Sequence, residues 1–154
     1  SLVLVTCSAG IWVNAYTQDS DSLAGQIQLW NIKDMTLVDS YSFQWNSTPW
    51  HIVSSHEKKE AFVVLSGDNL YPGSSGVACI NYSSDQLSLK WETYDDNFQI
   101  LHGIDISSDG ELLYVSGRGD GNLHIFNSHT GSWIKSISLE TNAMSGGVAV
   151  YLEQ

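Results

Sequence analysis

One local pattern is written three times in this chain, and it constrains the fold more than any other feature. The stretches IQLWN (Ile27 to Asn31), VACIN (Val77 to Asn81) and LHIFN (Leu123 to Asn127) each close on Asn. Six residues after each Asn stands an apolar residue, Leu37, Leu87 or Trp133. The three Asn lie 50 and 46 residues apart. A period of about 40 to 50 residues belongs to architectures assembled from repeated supersecondary units, each too small to bury its apolar surface alone.

The remainder of each copy falls into strand-length apolar runs separated by turn residues. In the third copy HGIDIS is strand one, Ser108-Asp109-Gly110 turns the chain, LLYVSG is strand two, and NLHIF and SWIKSISL are strands three and four. The second reads HIVSS, a turn over Glu57 to Glu60, AFVVLSG, a loop holding Tyr71-Pro72-Gly73, GVACIN and QLSLKWETY. The first reads LVLVTC, Ser8-Ala9-Gly10, IWVNAY, the loop TQDSDSLAG, QIQLWN and TLVDSYSF. Each copy is therefore expected to be a four-stranded antiparallel meander, and no segment carries a helical period.

A four-stranded sheet twists and has two free edges; several packed face to face around an axis bury both faces and protect most edges. The expected fold is thus all-β, a β-propeller, with blade 1 at about 1–43, blade 2 at about 49–94 and blade 3 at about 101–139. The end, SGGVAVYLEQ, reads as the inner strand of a fourth blade at about 145–152. A sandwich is the rival, but sandwiches lack a recurrent register of four strands. Propellers close with roughly 4 to 8 blades, so the ring is incomplete. The chain is read as a segment of a longer polypeptide, with completion by a second copy or another subunit as the other option.

The stretch HGIDISSDGELLYVSGRGDGNLHIFNSHTG resembles the YVTN-type and WD-like propeller repeats of bacterial extracytoplasmic proteins. Those blades read roughly P-H-G-I-x-[IV]-[ST]-x-D-G-x-x-[LV]-Y-V, followed by a strand ending in Asp or Asn. The resemblance spans all three copies; the first departs most, having neither the His nor the Asp-Gly turn. It implies the propeller fold and leaves the function open, because such folds host unrelated tasks.

Charge narrows the partners. Six Lys+Arg against 17 Asp+Glu give a formal net charge of -11, which excludes a surface that tracks nucleic-acid phosphates. Only 15% of residues are charged, while Ser, Thr, Asn, Gly and Tyr abound, a balance that points to a periplasmic, cell-surface or secreted protein. No run approaches the ~20 apolar residues of a membrane-spanning helix. The opening SLVLVTC lacks the basic and small residues of a lipoprotein signal and is read as a strand. Cys7 and Cys79 show no metal spacing, and a disulfide between them is not expected.

The chemistry-bearing candidates concentrate at one end of the inner strands. His51 and His102 are placed at equivalent starts of strand one in blades 2 and 3, where imidazoles converge on the mouth of the central channel and offer metal ligation or acid-base chemistry. The competing reading makes them part of the blade consensus, bonded to the adjacent turn. Trp45 and Trp50 flank the sequon Asn46-Ser47-Thr48, so that WNSTPWH is the best ligand-facing patch; a second sequon begins at Asn81. Arg118-Gly119-Asp120 spells the adhesion tripeptide, although Gly-Asp-Gly is also ordinary turn chemistry. The acidic loops Asp19 to Asp21 and Asp95-Asp96-Asn97 do not follow the twelve-residue calcium pattern. His124 is read as a face residue packed between blades, His56 and His129 as turn residues, and Trp12, Trp30, Trp91 and Trp133 as inter-blade packing.

No nucleophile, phosphate loop or paired metal motif is visible, so no enzyme is inferred. The expectation is a non-catalytic extracytoplasmic binding or scaffold module with a protein or glycan partner, needing no cofactor. The alternative is a propeller enzyme or redox protein with His51 and His102 at a metal or acid-base site. A transition metal there, or calcium on the acidic loops, are the only cofactors in view.

Overall fold

The computed structural model describes residues 1–8, 24–44, 46–67, 71–140 and 143–151. It is all-β, with no helix among the described residues. Blade 1 holds β1 (Leu2–Cys7), β2 (Gln26–Asn31) and β3 (Thr36–Ser42); blade 2 holds β4 (Pro49–Ser55), β5 (Glu60–Leu65), β6 (Gly76–Asn81) and β7 (Ser88–Tyr94). Blade 3 holds β8 (Leu101–Ile106), β9 (Leu112–Gly117), β10 (Asn122–Asn127) and β11 (Trp133–Ser138). Blades 2 and 3 are plain antiparallel meanders in chain order, and three sheets leave the ring open.

Blade 1 corrects the sequence reading. LVLVTC was expected to be its first strand, yet β1 pairs directly with β2, from Leu2 opposite Asn31 to Cys7 opposite Gln26. That is the place of strand two, the relation β5 bears to β6 and β9 to β10. The run IWVNAY, expected to be strand two, lies outside the described residues, as does Trp12.

The expected inner strand of a fourth blade is also qualified. Residues 145–151 join no ladder. They lie along β8 instead, Val150 N–H donating to Asp105 at 2.6 Å and His102 Nδ1–H to the Gly146 carbonyl at 2.7 Å. Gly103 makes the approach close, because a Cβ there would stand 2.6 Å from Gly147 Cα. Packing beside an inner strand holds this segment; a ladder requires a second strand in its own sheet.

The continuous apolar runs of blade 2 reflect burial on both sides. Ala61, Val63, Leu65, Ala78 and Ile80 pack toward Ile27, Leu29 and Phe43 of blade 1 and its exit. The alternate residues Phe62, Val64, Val77 and Cys79 pack toward Leu101, Leu113, Val115 and Phe126 of blade 3. Side chains of alternating residues serve opposite faces, and at about 25 cal/mol per Å2 of apolar surface removed from water these two seams are what hold the blades together. Outer strands face solvent, and every residue of β11 is exposed.

One backbone device repeats at the same end of blades 2 and 3. Thr48 and Ile100 take positive φ, 50° in each, immediately before the inner strand. A non-glycine residue in that region costs roughly 1 to 2 kcal/mol. Two backbone bonds offset the cost in each blade: Ser66 N–H to Thr48 O and Gly67 N–H to Ser47 O, then Arg118 N–H to Ile100 O and Gly119 N–H to Gln99 O. The entry to each inner strand is thereby clamped to the loop between strands two and three.

Candidate functional site

Just past those clamps both inner strands carry an extra residue. Between Pro49 opposite Leu65 and Ile52 opposite Val63, Trp50 and His51 face the single residue Val64. Between Leu101 opposite Gly117 and Ile104 opposite Val115, His102 and Gly103 face Ser116. Bulges re-aim side chains and commonly sit beside sites. The shared register also corrects an expectation: His102 is the counterpart of Trp50, and His51 the counterpart of Gly103, so the two His are one place out of step.

They meet nonetheless. The imidazole centroids of His51 and His102 are 4.8 Å apart with planes at 74°, and Trp50 lies 5.4 Å from His102 and 6.3 Å from His51. Trp50 remains 40% exposed. Its strand is fixed from blade 1, where Thr6 Oγ1 donates to the Trp50 carbonyl at 2.6 Å and Ser8 Oγ to the Pro49 carbonyl at 2.5 Å. The His102 ring is fixed through Gly146, and the Gly103 N–H is taken by Ser116 Oγ at 2.9 Å. Burial, then the neighbouring His102 charge, holds the His51 imidazole below its ordinary pKa, against a smaller upward pull from its hydrogen bond to the His102 backbone. Of the patch WNSTPWH, Trp45 lies outside the described residues.

Arg118 is exposed, and it borders a cavity of about 440 Å3 together with Ile100, Gly119, Asp120 and Met144. The Asp120 carboxylate turns inward, accepting from Gln99 N–H at 2.9 Å, Asn122 N–H at 2.9 Å and His124 Nε2–H at 3.1 Å. Burial alone would raise its pKa; the bond to His124, the Gln99 amide, the His124 charge and the Asn122 amide together hold it below the ordinary value.

Sequence reasoning missed that network. His124 is buried, as expected, but it has partners: Ser136 Oγ sits 2.7 Å from its Nδ1, and Trp133 Nε1–H donates to the same Ser136 Oγ at 3.2 Å. The signal available was an Asp four residues before a His, across a Gly-Asp-Gly turn. Trp91 does bridge blades, its Nε1–H reaching the Ser128 carbonyl at 3.0 Å. His129 bonds Glu111 at 3.0 Å on the far end of the blades.

Asp95 is an ordinary loop cap, accepting from Asn97 N–H at 2.9 Å, and Asp19 to Asp21 lie outside the described residues. Among the described residues no three His, Cys, Asp or Glu group as a metal cluster. Cys7 and Cys79 are both free thiols. No described helix is long and apolar enough to cross a membrane.

No protein-family model matches the chain, and no curated protein matches it. Solved structures do. A β-propeller domain (Swd1) from Myceliophteria thermophila is similar at TM-score 0.61 and 14% identity, over 79% of this chain and 37% of that one. A putative 6-phosphogluconolactonase of Bacteroides fragilis gives 0.60 and 16%, over 79% and 35%. The periplasmic gluconolactonase of Pseudomonas aeruginosa gives 0.60 and 13%, over 78% and 36%. The fold is that of a β-propeller, and the chain spans little more than a third of these structures.

Proposed function

We propose that this stretch belongs to an extracytoplasmic β-propeller that serves as a binding or scaffold module, meeting its partner at the end where Trp50, His51 and His102 gather. The observation that carries the reading is an exposed indole that forms a triangle with two imidazoles, on bulged strands whose backbone is tied across blades by hydrogen bonds. An exposed, ordered aromatic beside a channel mouth is well suited to a protein or glycan surface. Further blades, in the same polypeptide or another subunit, complete the ring. The composition and the periplasmic origin of one structural neighbour support the localisation.

The test places a photo-reactive amino acid at Trp50 and, as control, at Met35, an exposed turn residue at the other end of blade 1. Adducts at position 50 and not at 35, made with protein or glycan from the native extracellular fraction, support the module. Equal labelling at both rejects it. The enzyme reading rests on a different observation, the two imidazoles of His51 and His102 at 4.8 Å with the His51 pKa held down, a pairing that suits acid-base chemistry. One structural neighbour is named as a putative 6-phosphogluconolactonase and another as a gluconolactonase, so hydrolysis of glucono-lactone or its 6-phosphate that disappears with His51→Ala would favour the enzyme.

A further inference from the structure

We infer that His51 and His102 together chelate a divalent late first-row transition-metal ion, a reading that rests on the channel mouth being the binding end and names one occupant of it. The spacing of the two rings suits a shared ion. With a metal–nitrogen bond of about 2.0 to 2.1 Å and a nitrogen lying about 1.1 Å from the ring centre, each centroid sits roughly 3.2 Å from a bound ion. Two such ligands at angles between about 90° and 110° then have centroids roughly 4.5 to 5.2 Å apart. The observed separation is 4.8 Å, with planes at 74°.

The outer shell of His102 suits it as well. Metal-binding histidines characteristically donate the opposite ring N–H to a carbonyl, which fixes tautomer and orientation. His102 does so, Nδ1–H to Gly146 O at 2.7 Å, which leaves the Nε2 lone pair free. The Trp50 indole lies beside the His102 ring, centroids 5.4 Å apart and planes tilted by 46°. Imidazole donors favour copper, nickel and zinc over magnesium or calcium. With no third His, Cys, Asp or Glu joining the pair among the described residues, the remaining coordination positions fall to water or to a donor atom of the partner.

The experiment titrates the full-length polypeptide with Zn2+ by calorimetry and with Cu2+ by electron paramagnetic resonance. One ion per chain and a two-nitrogen copper signal are expected. His51→Ala and His102→Ala should each weaken binding at least about tenfold, the effect that even outer-shell changes produce. Gly103→Ala, which drives a methyl group into Gly147 and displaces the Gly146 carbonyl, should weaken it by roughly 10- to 100-fold while leaving both ligands in place. His129→Ala, at the opposite end, should change nothing. No binding, binding indifferent to His51 and His102, or binding that falls only with His129→Ala overturns the inference. Cross-linking at position 50 is a separate readout: adducts without metal binding leave the module standing and remove the ion, while metal binding without adducts does the reverse.

Discussion

Asp120→Ala is the most informative single change for the architecture. The carboxylate accepts three hydrogen bonds in the loop between β9 and β10, from Gln99 N–H, Asn122 N–H and His124 Nε2–H. Hydrogen bonds to a charged group contribute about 1.5 to 3 kcal/mol when the partner is left buried and unmet, and far less when water can replace the acceptor. Gln99 is exposed and Asn122 partly so, hence each amide regains water. His124, 1% exposed, does not. One full loss and two partial ones give a destabilisation of about 3 kcal/mol. For a chain of this size that is roughly 6 to 12 °C in melting temperature, measured by thermal and urea unfolding with circular dichroism. Asp120→Asn should cost about 2 kcal/mol, because its amide must set a donor against one of the three donors already present. Ser136→Ala combined with Asp120→Ala should be less than additive, since both act through His124. A loss below about 1 kcal/mol for Asp120→Ala would refute the view that this carboxylate anchors the loop.

The same group sets an acid dependence. Because the folded Asp120 pKa is depressed, its stabilisation is present above the unfolded value of about 3.9 and is lost as pH falls through the lower folded value. Unfolding free energy measured between pH 5 and 2 should therefore fall less steeply in Asp120→Asn than in the parent. Trp50→Ala should cost under about 1 kcal/mol, as expected of a partly exposed side chain, yet abolish partner capture at the mouth. Cys79, whose thiol burial and then Glu60 push up to about 12 against a smaller opposing effect of Lys90, should resist alkylation until unfolding, checked by mass spectrometry with and without urea. Gly131→Ala should destabilise the fold by more than 1 kcal/mol: φ there is +72° and a Cβ would stand 2.4 Å from the Trp91 ring.

Much of the blade structure was legible residue by residue. QIQLWN, GVACIN and LLYVSG are β2, β6 and β9 to the residue, because strands covered on one or both faces declare themselves through period-two or continuous apolar runs ended by Asn or Gly. The place of β1 was not legible. LVLVTC has the pattern of any buried strand, and it ends like AFVVLSG and LLYVSG, in small residues after the apolar run; that likeness to strand two was the available signal. At the site, the sequence identified Trp50, His51 and His102 but put the two His in equivalent positions. Both inner strands carry the same bulge, so the one-place offset of the two His against that common register showed only in the pairing.

What the sequence determined by itself is the local alternation of strand and turn and the repeat of about 50 residues, both written in neighbours along the chain. What only the tertiary structure decided is everything that depends on which surfaces face each other. It put β1 against β2, turned Asp120 away from solvent, and laid 145–151 beside β8 without a ladder. It also brought imidazoles 51 residues apart in the chain to 4.8 Å. The physical reason is that hydrophobic burial is non-directional: the apolar pattern states that a strand is covered, while the choice of partner comes from the backbone hydrogen bonds and side-chain contacts of the assembled blades.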